Sequence, residues 1–431
     1  MESYLTKRLS IFKQKPFTRY FIGSTFATLG MGSAYIITAW LIINISNNIS
    51  TMIYSFLAYW LPNALFSPIA GVIIDRFDRK KLIGFGDIGC GIMYALLGLI
   101  IFFHSNNAHT QNIHISYIYF TWFLIGILQS FYIPALMAFI REVVSENDLL
   151  YANVNIDLGY QLGYLTGVSL AGLLIGIFGI YLSYFMSGTM IIISGIIILT
   201  VKRDFMASTK KTQKTQKTQK KSSELKYYFL KKISNDFKSG LVYLFSNKNI
   251  LILYSSQLFF VLIFMTAPIL MAPFAKNILH TSSKGFGQIE GALMIGCLLG
   301  GFLLSYLAEK ISFTKIIFIA STILSISLIK FSLTKSLSNA MISYFFVGLS
   351  LGIWALMMTK AQEATNLDYQ GRVQSVFNSL MGFALVILYL IIHLASGIID
   401  IRHLFWIISG LALIPMVLSL LFPKSFLYKV N

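Results

Sequence analysis

The sequence predicts an all-α polytopic membrane protein with twelve transmembrane helices in two bundles of six. Of its 431 residues, 56% are hydrophobic and only 12% are charged, whereas an ordinary soluble protein carries about 25% Asp, Glu, Lys and Arg. Apolar runs of about 20 residues, the length that crosses the hydrocarbon core as a helix, recur along the chain. The basic residues gather between these runs, mostly on one side of the predicted membrane.

The N-terminal bundle holds six apolar spans separated by short polar loops. The first span is too long for the apolar core of a cleavable signal peptide, and no small-residue cleavage site follows it. The six spans are Phe17–Ile43, Met52–Ile74, Ile83–Phe103, Ser116–Ile140, Ala152–Ile177 and Ile180–Val201.

A polar block, residues 202–248, divides the chain. It contains the repeat TQKTQKTQK at Thr212–Lys220, a low-complexity segment with no apolar face to bury. In Leu225–Phe245, apolar residues and lysines alternate at helical spacing, which predicts an amphipathic helix on the membrane surface. We therefore expect an N-terminal bundle (1–201), a cytoplasmic basic linker with an amphipathic helix (202–248) and a C-terminal bundle (249–431).

The C-terminal bundle repeats the pattern of six apolar spans with short connections. Each is long enough to cross the bilayer as a helix. The six spans are Ile250–Phe274, Phe286–Ala308, Thr314–Phe331, Ala340–Thr359, Val373–Ile398 and Leu404–Leu421.

The positive charge predicts the orientation. The chain has 34 Lys and Arg against 16 Asp and Glu, a formal net charge of +18. If the N-terminus is cytoplasmic, all but five of these basic residues face the cytoplasm, and the bias survives removal of the linker. The positive-inside rule then places both termini in the cytoplasm. The sequence has no folded soluble module that could use this charge to bind nucleic acid, so we expect no nucleic-acid partner.

The loop after the second span carries a motif. It reads GVIIDRFDRKK from Gly71 and resembles the G-x-x-x-D-R-x-x-R-[RK] loop of the major facilitator superfamily, at the same place between the second and third helices. The resemblance implies the major facilitator fold and a conformational latch, formed by Gly71, Asp75, Arg76, Arg79 and Lys80, that holds the outward-open state. The alternative is a basic anchor at the cytoplasmic face.

Further motifs resemble the drug:proton antiporter branch of that superfamily, which includes macrolide efflux proteins and the enterobactin (siderophore) exporter. One departure is Gly167-Val168, where the branch usually has Gly-Pro in the fifth helix. The resemblance also implies that the glycine-rich fifth and eighth helices face each other across the two halves. The matching motifs are Tyr132–Ala135, Arg141–Val144, Asp148–Asn153, Asp236–Leu244 and Gly371–Val373.

Three carboxylates lie inside predicted spans. Asp87, Asp157 and Glu290 each follow the start of a span by one or two turns. An ionisable residue within the membrane is costly and suggests a function, so these are our candidates for proton coupling. The alternative is that each carboxylate is stabilised near a helix N-terminus and reaches water. His393, in the eleventh span, could also titrate, or simply pack.

Polar and aromatic residues within the spans predict the substrate cavity. No Lys or Arg lies in the middle of a span, which disfavours a strongly anionic substrate. Aromatic rings and amides suit an amphipathic neutral or cationic molecule; alternatively, many of them contact lipid or neighbouring helices. The candidates are Tyr35, Asn63, Gln129, Tyr132, Gln161, Tyr164, Gln257, Phe264, Trp354 and Asn378.

These observations predict a proton-coupled exporter of a small amphipathic molecule, such as a macrolide or a siderophore, working by alternating access. The chain has no P-loop motif and no paired catalytic residues, so we expect no enzyme activity. The alternatives are an iron-chelate importer of the same fold, or a receptor or channel that does not transport.

The expected partners are a small-molecule substrate, protons and the lipid bilayer, with the chain as a monomer in a bacterial inner membrane. Cys90 and Cys297 lie inside apolar spans and lack a metal-ligand spacing. We interpret both as small core residues and expect neither a metal nor a cofactor.

Overall fold

The regular structure of the protein is helical. The computed structural model describes residues 9–46, 48–74, 77–105, 115–145, 148–203, 237–308 and 310–421. Within these ranges we find α-helices and one short 3₁₀ turn, Ile11–Lys13, and no strand. The predicted all-α class is confirmed.

The described residues of the first half form five α-helices from Lys15 onward. Each follows an apolar run, as expected for segments whose backbone must satisfy its own hydrogen bonds in lipid. They are α1 (Lys15–Ser46), α2 (Ile49–Ile74), α3 (Arg79–Ser105), α4 (Ile115–Val143) and α5 (Leu149–Thr200).

The long helix α5 is broken at Gly179. This residue has φ +75° and ψ 171°, a conformation that glycine adopts without the steric penalty of a side chain. The break separates the fifth and sixth predicted spans, so α5 is two helical arms that meet at a sharp bend.

In the described part of the second half, seven helices follow residue 247. A break at Gly352 and Ile353 divides the predicted tenth span, Ala340–Thr359, between α9 and α10. Residues 237–246 are also helical, whereas most of the predicted amphipathic helix lies outside the described residues. The seven are α6 (Lys248–Asn277), α7 (Ser283–Ala308), α8 (Phe313–Ser332), α9 (Leu337–Leu351), α10 (Trp354–Ala364), α11 (Leu367–Ser396) and α12 (Ile401–Leu420).

The helices carry the predicted membrane spans. By length and composition, ten stretches of the described chain are suited to cross a membrane. One of them, Tyr151–Thr200, covers both arms of α5, and α2 carries the second predicted span. The twelve spans therefore all fall on helices.

At several helix starts, a side chain accepts a hydrogen bond from a backbone N–H group of the first turn. Asp78 Oδ1 accepts a 3.0 Å hydrogen bond from the Lys81 N–H at the start of α3. Asp400 Oδ1 accepts a 2.8 Å bond from the Arg402 N–H at the start of α12. Such caps satisfy donors that the first turn of a helix leaves without an intrahelical partner.

The chain folds as two compact units. Unit 1 comprises Met1–Ile37 and Leu65–Asn235, and unit 2 comprises Thr38–Ala64 and Asp236–Asn431. The boundaries fall inside α1 and α2, so residues 38–64 pack with helices from the second half of the sequence. The division into bundles and linker expected from the sequence stays a prediction.

Glycines let helices of unit 1 approach closely. A Cβ atom at Gly91 of α3 would lie 2.5 Å from the carbonyl oxygen of Gly188 on α5. The same two helices meet again where a Cβ at Gly84 would lie 2.6 Å from Leu199 Cγ. Close backbone approach at small residues is a major source of helix association in lipid.

Unit 2 combines a glycine contact with an aromatic core. A Cβ at Gly348 of α9 would overlap the carbonyl oxygen of Leu293 on α7. The rings of Phe274, Phe331 and Phe405 have centroids 4.8–5.4 Å apart and are fully buried. These rings fix α6, α8 and α12 around one centre.

Candidate functional site

A charge cluster lies at the end of unit 1 that is predicted to face the cytoplasm; it consists of Asp78, Arg79, Glu142 and Arg203. Arg79 Nη1 donates a 3.0 Å hydrogen bond to Glu142 Oε1, and Arg203 Nη1 lies 3.7 Å from Glu142 Oε2. Arg203 also pairs with Asp78. The cluster thus joins the start of α3, the end of α4 and the segment after α5.

The cluster perturbs one ionisable group outside the spans. Partial burial raises the pKa of the Asp78 carboxyl, but the hydrogen bond from the Lys81 N–H and the contact with Arg203 outweigh it. The pKa of Asp78 is therefore lower than usual, and the carboxylate stays charged at neutral pH.

The structure places part of the predicted latch. Arg79 joins the charge cluster, and Lys80 Nζ donates a 3.0 Å hydrogen bond to the Val201 carbonyl. Asp75 and Arg76 lie outside the described residues, and so do the surroundings of Gly71. The described latch residues thus bind partners within unit 1.

Sequence reasoning missed Glu142 and Arg203 as members of this cluster. Glu142 was noted only as part of a motif, and Arg203 only as a linker cation. A usable signal existed, because Glu142 directly follows the fourth predicted span, at the membrane face where the basic residues are expected to gather. A carboxylate there requires a basic partner when it is buried.

Asp87 is fully buried in unit 1. Its Oδ2 accepts a 2.7 Å hydrogen bond from the Ser194 hydroxyl, whereas Oδ1 has no partner among the described residues. Tyr132 and Cys90 lie near enough to interact with it electrostatically. The Tyr132 hydroxyl is also buried without a partner among the described residues, so unit 1 holds two buried polar groups whose hydrogen bonding is incomplete.

Unit 2 also contains a buried acid, Glu290. It is 1% exposed on α7, and the described residues offer no hydrogen bond to either carboxylate oxygen. Tyr344 and Cys297 lie within electrostatic range. An unpaired buried carboxylate is costly in its charged form, so this site favours the neutral acid or a bound cation.

The third candidate, Asp157, lies on α5, but its side chain falls outside the described surroundings. Among the residues that the structure describes, no three His, Cys, Asp or Glu side chains gather as a metal site.

Four of the predicted cavity residues contribute to polar and aromatic contacts in unit 1. The ring of Tyr35 lies 6.4 Å from that of Tyr164 and 6.0 Å from that of Trp122, a residue that sequence reasoning missed. Gln129 Nε2 donates a 3.4 Å hydrogen bond to Met31 Sδ. Tyr132 joins the Asp87 neighbourhood, whereas Gln161 is partly exposed on α5.

The remaining predicted cavity residues lie in unit 2 and are less clearly grouped. Gln257 is fully buried, with Nε2 3.5 Å from Met358 Sδ and Oε1 without a described partner. Asn378 accepts a 3.0 Å bond from Gln374. The three others are partly buried and do not form a group with these two: Asn63, Phe264 and Trp354.

Residues 38–64 are tied to α6, α7 and α11 within unit 2; we call these ties the α1–α2 end contacts. His393 Nε2 lies 2.9 Å from the Tyr54 hydroxyl, and Nδ1 lies 3.0 Å from the Ser50 hydroxyl. Lys276 Nζ donates a 2.9 Å bond to the Ile43 carbonyl.

An aromatic stack strengthens the α1–α2 end contacts. The rings of Trp40 and Phe286 have centroids 5.5 Å apart and an interplanar angle of 21°. Both side chains are buried. The contact combines apolar burial with stacking, which adds about 0.5–1.5 kcal/mol beyond the buried area.

The glycines of the fifth and eighth spans make their close contacts inside their own units. A Cβ at Gly163 would overlap Thr28 Oγ1, and one at Gly167 would overlap the Leu29 carbonyl oxygen, both on α1. Gly296 and Gly300 of α7 approach the backbone of α9 in the same way. The glycines therefore serve close helix packing, as their spacing predicts.

Comparison with known proteins gives a consistent result. The family model described as Major Facilitator Superfamily matches residues 20–389. Macrolide efflux protein A of Streptococcus pyogenes is 23% identical over 364 residues, 82% of each chain. The putative bacilysin exporter BacE of Bacillus subtilis is 23% identical over 376 residues, 85% of this chain and 84% of the relative.

A shorter match reaches higher identity. Multidrug resistance protein 2 of Bacillus subtilis is 29% identical over 147 residues. The match spans about a third of each chain, 34%.

Two solved structures share the fold. One is a bacterial homolog of the human lysosomal transporter Spinster in an inward-facing and occupied conformation, with TM-score 0.69, 12% identity and coverage of 96% of this chain and 98% of the other. The other is the nucleoside transporter NupG, with TM-score 0.65, 14% identity and coverage of 96% and 100%.

Proposed function

Because the chain belongs to the Major Facilitator Superfamily, we propose that it is a secondary active exporter that exchanges protons for a small amphipathic molecule across the bacterial cytoplasmic membrane. The helices give it a multi-pass membrane architecture. The relatives named for macrolide efflux and multidrug resistance support export over import.

Glu290 is the observation that carries the proton-coupling proposal. Its carboxylate is buried on α7 without a described hydrogen bond. Burying such a carboxyl group costs the least free energy when the group is protonated. It ionises once water reaches it. Glu290 therefore takes up a proton from one side of the membrane and releases it to the other.

Asp87 is proposed as a second proton site, with Asp157 as a third candidate. The Ser194 hydrogen bond stabilises the Asp87 carboxylate on one oxygen only, so the site tolerates both charge states better than that of Glu290. The two acids therefore contribute differently to coupling, and Glu290 is the stronger candidate.

The α1–α2 end contacts fit a gate at the outer side of the membrane. In the proposed orientation, Tyr54, His393 and Lys276 lie toward the cell exterior. Alternating access requires such a contact to form and break once per cycle. Two hydrogen bonds to one histidine and one to a backbone carbonyl are few enough to break within a transport cycle.

The latch proposal concerns the opposite membrane side. We assign Gly71, Asp75, Arg76, Arg79 and Lys80 to it. Arg79 and Lys80 are already paired with Glu142 and the Val201 carbonyl. These contacts fix the start of α3, which directly follows the loop assigned to the latch.

The proposed substrate class follows from the aromatic and amide side chains. In unit 1, Tyr35, Trp122 and Tyr164 offer ring faces and Gln129 offers an amide; in unit 2, Gln257 offers a second amide. Ring faces bind cationic and planar apolar groups. A lipophilic amine such as a macrolide matches this chemistry better than a polyanionic metabolite.

Transport into everted membrane vesicles tests the proposal. Vesicles that contain the protein should accumulate a labelled macrolide when a proton gradient, acidic inside, is imposed, and a protonophore should abolish the accumulation. A deletion strain should become more sensitive to the same compound. If the vesicles accumulate neither a macrolide nor a lipophilic dye nor a siderophore under any proton gradient, the proposal of proton-driven export is overturned.

A further inference from the structure

A cleft of about 640 Å³ opens on unit 1 beside the charge cluster. Its walls are the start of α3 and the end of α5 with the three residues that follow. Four basic side chains and one acid line it: Lys80, Lys81, Lys202, Arg203 and Asp78. The cleft therefore carries an excess of positive charge.

The existing contacts leave part of that charge available. Arg203 is engaged by Asp78 and Glu142, and Lys80 uses one of its three donors on the Val201 carbonyl. Lys81 and Lys202 are exposed at the cleft. An anion placed there meets donors that the protein does not fully use.

Part of each wall of the cleft is apolar. Phe85 is 61% exposed on α3, and Leu199 lies beside it on the last turn of α5. Gly84 allows α3 to approach this side chain closely, since an added Cβ would lie 2.6 Å from Leu199 Cγ. Phe85 and Leu199 each lie two positions inside the cytoplasmic end of a predicted span, so this apolar part is at the edge of the acyl-chain region.

From this arrangement we propose that the cleft binds the headgroup of an anionic phospholipid, with the phosphate among the basic side chains and an acyl chain along Phe85 and Leu199. Clusters of basic residues at the cytoplasmic end of helices attract acidic lipids. A soluble phosphate compound would gain nothing from the apolar part, and a peptide would have to displace the bilayer.

The proposal rests on the membrane orientation given under the proposed function, but its test does not depend on transport. The full-length protein is purified in detergent and mixed with equal amounts of phosphatidylglycerol and phosphatidylethanolamine. Native mass spectrometry then counts the lipids retained. We expect phosphatidylglycerol to be retained at least fivefold more, since each basic residue near the surface contributes about fivefold in affinity.

The variant K81Q/K202Q should remove at least fivefold of that preference. The control K330Q/K335Q changes two exposed lysines on α8 and after it, at the predicted opposite face, and should leave the preference unchanged. Phe85→Ala should weaken the retention of phosphatidylglycerol, and it should not raise the retention of phosphatidylethanolamine. An unchanged melting temperature shows that each variant is folded.

Three outcomes would overturn the proposal. They are equal retention of the two lipids, an equal loss in both lysine variants, and full displacement of the lipid by millimolar inorganic phosphate, which would identify a simple anion site. Normal lipid preference in a protein that exports nothing would reject the proposed function alone.

Discussion

His393 on α11 accepts or donates hydrogen bonds at both ring nitrogens, and the nearer partner is the Tyr54 hydroxyl of α2, 2.9 Å from Nε2. The Ser50 hydroxyl lies 3.0 Å from Nδ1. A neutral imidazole offers one donor and one acceptor, which two hydroxyls satisfy together. The histidine thereby connects two helices that are more than 300 positions apart in the chain.

Replacing this histidine should loosen the contact. In His393→Ala both hydrogen bonds are lost, so we expect spin labels at Asn48→Cys and Ile398→Cys to show a larger fraction of long distances. Electron–electron double resonance measures this distribution after Cys90 and Cys297 are replaced. His403→Ala, an exposed histidine on α12, is the control. Identical distributions in the two variants would refute a gating contact.

Neutralising Glu290 should uncouple transport from the proton gradient. In Glu290→Gln the buried group keeps its shape but no longer exchanges a proton, so proton-driven accumulation should fall at least tenfold while the amount of folded protein is unchanged. Glu363→Gln is the control, because Glu363 is 57% exposed and pairs with Lys360. Full proton-driven accumulation by Glu290→Gln would eliminate this residue as the coupling site.

Breaking the pair between Arg79 and Glu142 should destabilise unit 1. Both side chains are largely buried, at 15% and 8% exposed, so Arg79→Ala leaves a carboxylate with only the longer contact to Arg203. We expect a loss of about 1.5–3 kcal/mol, read as a lower melting temperature in detergent. The exchanged pair R79E/E142R should recover part of it; no recovery would argue against a direct pair.

Glycine positions on α3 should differ in their tolerance of alanine. Gly91→Ala places a methyl group against the Gly188 carbonyl and should cost about 1–3 kcal/mol. Gly86 has nothing within 4 Å of the added Cβ, so Gly86→Ala should be neutral or stabilise by up to about 1 kcal/mol through helix propensity. Melting temperatures of the two variants measure the contrast, and equal effects would reject the close α3–α5 contact.

Acid should weaken the charge cluster through Asp78. Because its pKa is lowered in the folded protein, Asp78 contributes stability above its unfolded pKa, and this contribution is lost as pH falls through the folded value. Melting temperature should therefore drop between neutral and acidic pH by more in the wild type than in Asp78→Asn. Parallel pH profiles would contradict the contribution.

The order of helices could be predicted because it depends on local composition. Apolar runs of sufficient length dictated each span, and the break at Gly179 coincides with the boundary between the fifth and sixth spans. The break at Gly352 and Ile353 was missed, because the apolar run continues through it. Close packing of Gly348 against α7 accompanies this break, and that tertiary contact has no local signature.

The site was harder to predict because its contacts join distant positions. Asp87 and Glu290 stood out as acids inside apolar runs, and the structure buries both. The partner Ser194 lies 107 positions from Asp87, and no spacing rule connects them. The role of Arg203 was missed for the same reason. Its position at the edge of a basic linker does not distinguish it from the other cations there, and only the folded path of α5 brings it close to Glu142.

The stack of Trp40 on Phe286 gives the protein an internal optical reporter. Trp40 is 7% exposed, whereas Trp406 is 45% exposed on α12, so their indole emission differs in wavelength. If the end of α1 moves away from α7, the indole of Trp40 loses its contact with the Phe286 ring, and its surroundings change. A chain that retains Trp40 as its single tryptophan would then report this movement in real time, without any attached label.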